Sequence, residues 1–240
     1  MVIGHRQNQE SMVRNVTRKI LFSFLALALV GNFSSFAQPK RFLPDELGIN
    51  FGFNRHTQLG YSVADIATSY KTGYVAGVIG LWNRSRLIIR SGITLERKGF
   101  RISSSTTYFD DQLNPKTGES TESTNLTYIT LPLVLRKCLP KAKLIYFEAG
   151  LYTSYLLKAQ GTTVFSWRPS STSNVESGFR VFDLGCTTGL GFKKPLNSSI
   201  NIDLTIFGNY GLLNVNASQG YGGSELHNFS FGSVISITKK

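Results

Sequence analysis

The sequence predicts an all-β fold, an eight-stranded antiparallel up-and-down transmembrane β-barrel. Three observations carry the prediction: an export-type N-terminus, no later apolar run of membrane-helix length, and eight segments of two-residue alternation joined by alternately long and short connections. Only helices and closed barrels satisfy every backbone polar group in lipid, so an exported chain without such a helix is either soluble or a barrel.

The N-terminus comes first. Arg14, Arg18 and Lys19 precede the apolar run "ILFSFLALALV", Ile20 to Val30, and a small-residue segment ends at Ser35-Phe36-Ala37. This is the layout of a secretory signal peptide. The run falls short of the roughly 20 residues that a helix needs to cross a bilayer. The expected organisation is a signal peptide over 1–37, a short periplasmic segment over 38–46 and the barrel over 47–240, with Met12 as a second candidate start. Removing 1–37 takes away four basic residues and one acid, lowering the formal charge from +12 to +9. After export, a scattered positive charge points to outer-membrane lipid and other anionic surface polymers, and away from nucleic acid.

The eight segments fall at about 47–54, 71–82, 86–96, 125–136, 143–157, 180–192, 198–209 and 227–238. In the first, Leu47, Ile49, Phe51 and Phe53 alternate with Gly48, Asn50, Gly52 and Asn54. One face is greasy and the other small and polar, as period two requires. The second segment is ambiguous, and facing Tyr74, Ala76, Val78 and Trp82 outward places an aromatic at each end. The third sets Leu87, Ile89, Ile93 and Leu95 against Arg90, Thr94 and Glu96, and the fourth sets Ile129, Leu131, Leu133 and Leu135 against Thr130, Pro132, Val134 and Arg136. The fifth carries Phe147 and Leu151 opposite Tyr146, Glu148 and Tyr152; the sixth sets Phe182, Leu184 and Leu190 against Asp183 and a row of glycines. The seventh alternates Ile202, Leu204 and Ile206 with Asn201, Asp203 and Thr205, and the last alternates Phe229, Phe231, Ile235 and Ile237 with Asn228, Ser230 and Ser236.

The short connections are "NRS", "KCLPKA" and "KKPLN"; the long ones are 55–70, 97–124, 158–179 and 210–226. Outer-membrane barrels show this asymmetry, with tight periplasmic turns and longer outer loops. A soluble lipocalin-like barrel also has eight up-and-down strands, but with its apolar residues inside. Here the second face holds Gly, Asn, Ser and Thr with Arg90, Glu96, Arg136, Glu148, Asp183 and Asp203. Those charges predict a paired network filling a narrow lumen. Pro132 lies on the same face of a fully paired strand, which predicts a bulge or a missed ladder bond there, its orphaned carbonyl met by lumen water or a polar side chain.

Taken together, "GINFGFN", "YITLPLVLR", "EAGLYTSYLL", "FDLGCTTGLGF" and "NFSFGSVISI" resemble the PorT-like outer-membrane β-barrel family of Gram-negative bacteria. The resemblance runs from about Leu47 to the C-terminus and implies an eight-stranded barrel, with no particular activity. Such barrels often end on an aromatic residue, whereas this chain ends Ile237-Thr238-Lys239-Lys240.

Catalytic signals are weak. His56, in the first long connection, and His227, at the outer start of the last segment, read as solvated surface residues. A lipid-modifying enzyme would need a His-Ser-acid set, but Ser230 is three residues from His227 and so faces the other way in a strand. Glu148, Asp183 and Asp203 read as partners of Arg90 and Arg136 rather than as catalytic acids. No metal-ligand spacing, phosphate loop or nucleotide motif occurs, so no cofactor or metal is expected. Cys138, in a turn, and Cys186, in mid-strand, are expected to stay unbridged. A non-catalytic surface anchor or binding protein, or a component of a surface or secretion assembly with a protein partner, fits best. Trp167 and Arg168 in the 158–179 connection are the candidate contact residues. Passive diffusion fits poorly, since eight strands leave only side-chain-filled space.

Overall fold

A computed structural model describes residues 43–60, 67–84, 87–139, 144–217 and 225–240. The expected signal peptide, most of the 38–46 segment and parts of two short turns lie outside the described residues. Nine strands occur among those described: β1 (Glu46–Leu59), β2 (Ala67–Arg84), β3 (Leu87–Phe109), β4 (Pro115–Cys138), β5 (Ile145–Phe165), β6 (Ser171–Asn174), β7 (Phe182–Pro195), β8 (Ile200–Gly211) and β9 (His227–Lys239). Eight of them close into an antiparallel ring in the order β1, β2, β3, β4, β5, β7, β8, β9, with β9 pairing back onto β1. Short β6 adds to the end of β5, outside the ring. No helix among the described residues is long and apolar enough to cross a membrane.

Each ring strand coincides with one expected segment, though β7 and β8 begin two residues later than expected and the first residues of the 86–96 and 143–157 segments lie outside the described residues. Parity decides the faces. Leu47, Ile49, Phe51 and Phe53 are 61, 61, 54 and 58% exposed, while Asn50 and Asn54 are buried. On β2, Val78 is exposed and Val75, Ile79 and Leu81 are buried, so the aromatic-ended face does point outward. An apolar exterior around a polar interior is the inverse of a lipocalin, and the soluble reading is thereby overturned. Aromatic clusters sit on the outer face, with Tyr70 and Phe231 rings 5.5 Å apart edge to face. Such rings mark membrane interfaces in barrels of this type.

Pro132 faces the interior, as its parity predicts, and the strand tolerates it without a bulge. On the β5 side it pairs regularly with Tyr152. On the β3 side pairing runs to Ser91↔Leu133 and resumes at Thr94↔Thr130 with unchanged register, so the ladder lapses only opposite Leu131 and Pro132. The Ser91 hydroxyl donates to the Pro132 carbonyl at 2.8 Å. The missing N–H thus removes a ladder bond, and a polar side chain takes up an acceptor there.

Two expectations need correction. The 97–124 connection is not a loop: β3 and β4 stay paired to Phe109↔Pro115, leaving only a tight turn over 110–114. Likewise β5 continues to Phe165. The hairpin is Ser- and Thr-rich on each face, and the β5 extension mixes polar and apolar residues on both, so period two leaves no hydropathy signal even though the backbone ladder continues. His56 is not solvated in a loop either. Because β1 runs to Leu59, His56 is a strand residue, fully buried, with Nδ1 2.8 Å from the Gly99 carbonyl oxygen and 3.1 Å from the Gly99 amide nitrogen. It reaches the backbone of β3 where β2 and β3 lose their pairing between Tyr70 and Val75.

Candidate functional site

The lumen is built in tiers, each from inward positions on several strands. At the short-turn end, Glu46 accepts hydrogen bonds from Lys193 Nζ (2.9 Å), Asn201 Nδ2 (2.9 Å) and Thr238 Oγ1 (2.8 Å). In the middle, Glu148 on β5 takes Arg90 on one side, at 2.7 Å to its Nη2, and Arg136 on the other, at 3.2 Å to its Nε. Arg136 reaches on to Asp203 at 2.5 Å and lies 3.7 Å from the centre of the Tyr146 ring. Above this, Lys98 lies 3.1 Å from Glu96 and 4.0 Å from Asp183, between the Tyr128 and Tyr152 rings, and Asp183 accepts from Asn228 Nδ2 at 2.8 Å. An apolar cluster of Phe100, Leu126, Tyr128, Leu156, Ala159 and Phe179 covers the upper end.

The large side chains fit because β7 leaves room for them. Gly185, Gly189 and Gly191 stand directly opposite Tyr152, Glu148 and Tyr146 on β5. A Cβ on Gly185 or Gly191 would run into the facing tyrosine ring. The glycine run is therefore the small half of a large-to-small pairing across two strands. A cavity of about 50 Å³ remains between Arg90, Glu96, Pro132, Arg136 and Glu148. That is room for a few waters.

Of the six charges expected in the lumen, the structure brings Arg90, Glu148, Arg136 and Asp203 into one chain and sets Glu96 and Asp183 around Lys98. Sequence reasoning missed Lys98, Glu46 and Lys193. Ending the third strand at residue 96 removed Lys98 from view; carrying the same parity two residues further would have found it. Buried ions hold their charge only when paired and hydrogen-bonded. Each of these has an opposite charge beside it, while Lys98 Nζ, Glu96 Oε2 and one oxygen each of Asp183 and Asp203 lack a hydrogen-bond partner among the described residues.

The outer end differs. Trp167 stacks on Tyr108, with ring centres 4.6 Å apart and planes within 5° of parallel, over the bare backbone of Gly118. Arg168 is exposed, its guanidinium 3.6 Å from the centre of the Phe165 ring. The aromatic side of Trp167 is thus spent on clamping β5 to the β3–β4 hairpin. His227 stacks on Tyr210 and bonds the Gly211 carbonyl at 3.1 Å, whereas Ser230 is buried in the lumen. The pair is split between two faces. Cys138 and Cys186 are free thiols. Among the described residues no group of three His, Cys, Asp or Glu is placed to hold a metal.

A family model for the outer membrane protein beta-barrel domain matches residues 36–216. The chain belongs to this family. The exposed apolar face of this outer-membrane barrel is then its lipid-facing surface, and its buried ions lie in the lumen. Among solved structures, Neisserial surface protein A is similar at 9% identity and a TM-score of 0.40, covering 80% of this chain and 96% of that one. OprG from Pseudomonas aeruginosa is similar at 10% identity and a TM-score of 0.34, with 82% and 95% covered. The Yersinia pestis attachment invasion locus protein Ail, in complex with the heparin analogue sucrose octasulfate, is similar at 10% identity and 0.34, with 80% and 97% covered. No curated protein matches the chain.

Proposed function

We propose that this outer-membrane barrel is a non-catalytic surface protein, exported by a signal peptide over 1–37, that presents its β3–β4 hairpin outside the cell as a contact element. In this reading the barrel is the anchor and the six-residue lumen set, with Lys98, is structural. A surface or secretion assembly with a protein partner is the setting in which such an anchored contact element would act. The observation that carries the reading is the contrast between a lumen filled by its own paired side chains and a hairpin continuing past the apolar band. From Ser103 to Phe109 that hairpin adds about 20 Å of strand, with both faces hydroxyl-bearing and largely exposed. A pore or a lumen enzyme has no space to work in, while a long, backbone-paired hairpin offers exposed donors and acceptors on two faces.

The test is a variant whose residues 104–120 are replaced by an Asn-Gly turn. It should keep heat-dependent mobility on a detergent gel, while the crosslinks to neighbouring surface proteins that a membrane-impermeant amine-reactive reagent gives with the parent disappear. Trypsin added to intact cells should cut the parent protein at Lys116. Protection of Lys116 in intact cells, or solute-dependent conductance in planar bilayers, would overturn the proposal.

A further inference from the structure

The outward face carries a second feature, at the boundary where the apolar band stops. On β3 the outward positions run Leu87, Ile93, Leu95 and then Arg97; on β4 they run Leu135, Leu133, Leu131, Ile129 and then Thr127. Arg97 pairs with Thr127, and Thr127 with Lys158. The next outward row up holds Asn125 opposite Gln160. Lys158 points outward because the β4–β5 register slips by one residue between Thr127 and Tyr128, leaving Leu157 as the extra residue of a bulge. With Tyr74 from β2, these six residues surround a depression of about 210 Å³ on the barrel wall.

Every lining side chain carries a hydrogen-bond donor and none is a carboxylate. Neither Arg97 nor Lys158 makes an ion pair among the described residues. Lys71 and Arg101 extend the positive surface upward: Lys71 crosses Gly99 to bond the Ser123 hydroxyl, and Arg97 and Arg101 are the charges bearing on it. The nearest outward-facing carboxylate on the described parts of β2 to β5 is Glu119, eight residues from Thr127 along β4, or about 27 Å of strand. In water, so many unpaired donors need no partner. At the edge of an apolar band they sit at the depth of lipid headgroups, where clustered Lys and Arg attract anionic phosphates.

We propose that this shelf is a binding site for the phosphate of a lipid headgroup in the leaflet at the long-hairpin end. Arg97 provides the planar fork suited to a phosphate, Lys158 the second charge, and Tyr74, Asn125 and Thr127 neutral donors. The acyl chains then lie along Leu95 and Ile129 below. The site depends on the barrel's place in the membrane and not on any role of the hairpin, so the two proposals stand or fall separately.

The test uses the full barrel refolded in detergent and native mass spectrometry with bisphosphorylated lipid A, its dephosphorylated form, and inorganic phosphate as competitor. The parent should retain the phosphorylated lipid, and R97Q/K158Q should hold it about thirtyfold more weakly, taking about a factor of five per cation near a surface. R97K/K158R should restore retention, and K194Q, an exposed charge at the other end, should leave it unchanged. Gel mobility reports folding of each variant, with the single variants R97Q and K158Q read if the double fails to fold. Equal retention by parent and variant, or of lipid with and without phosphate, would sink the site. Displacement by millimolar inorganic phosphate would assign it to a soluble anion and equally overturn the lipid.

Discussion

The lower and upper halves of the β3–β4 hairpin are one continuous ladder held together in two different ways. Below Arg97, outward Leu95 and Leu133 meet lipid, while inward Arg90, Glu96 and Arg136 are locked into buried ion pairs. From Ser103 upward, both faces are hydroxyl-rich, and the cross-strand contacts are bonds such as Ser104 to Ser120 at 2.9 Å. The lower half cannot lose one partner without stranding another in low dielectric; the upper half can, because water replaces whatever is removed. The same pairing thus serves as a rigid anchor at one end and a tolerant, exposed surface at the other.

The sharpest way to break this comparison is to remove the acid that two arginines share. Glu148→Ala leaves Arg90 and Arg136 buried without it, and loss of one member of a buried pair costs about 3–5 kcal/mol. Urea unfolding in lipid vesicles should show that loss while crosslinks from the hairpin tip stay unchanged. A change below 1 kcal/mol would mean the tier is solvated and the contrast false.

Packing gives the next largest effect. Gly185→Val places a side chain where the Tyr152 ring lies, and overpacking of this kind costs about 1–3 kcal/mol. The companion substitution Tyr152→Leu should recover the part of it that the ring contributes, the contact with the Tyr210 carbonyl remaining. Failure of the second change to rescue the first would show that β7 needs glycine for its backbone and not for space.

On the upper half, Trp167→Ala removes a stack of the kind worth about 0.5–1.5 kcal/mol. The loss should stay local: faster tryptic cutting at Lys116 and faster amide exchange over 103–121, with the barrel's urea midpoint unmoved. A shift of the barrel midpoint would show that the two halves are not independent.

These effects also mark what could be read from the sequence. The eight strands, their inward faces and the interior position of Pro132 were legible because each strand meets lipid on one side and the lumen on the other, which prints a strict alternation of apolar and polar residues. Lys98 and the upper hairpin were not, because the second medium changes from lipid to water at Arg97 and the alternation vanishes while the ladder continues. His56 was lost for the same reason, sitting just past Arg55, where the greasy face of β1 stops. The shelf of Arg97 and Lys158 was hidden differently: Lys158 faces outward only through the one-residue bulge at Leu157, and a strand read with uniform parity has no place for it.

The smallest expected effect lies at the hairpin tip. Asp110 Oδ1 accepts the amides of Asn114 and Gln112, each at 2.9 Å, and Oδ2 pairs with Lys116 at 3.0 Å, closing a turn in which Leu113 adopts φ 63°. The Asn114 amide first, and then Lys116, hold the carboxyl below its ordinary value of 3.8. A depressed carboxylate contributes order that is present in full above the unfolded value and lost as pH falls through the lower folded one. The amides of Gln112 and Asn114 should therefore keep their protection from pH 7 down to about 4 and lose it only below, with the rest of the ladder unaffected. In Asp110→Asn the carboxyl that titrates is gone, so those two amides should show no such acid step. Loosening of the parent turn between pH 7 and 5 would instead place the controlling group elsewhere in the hairpin.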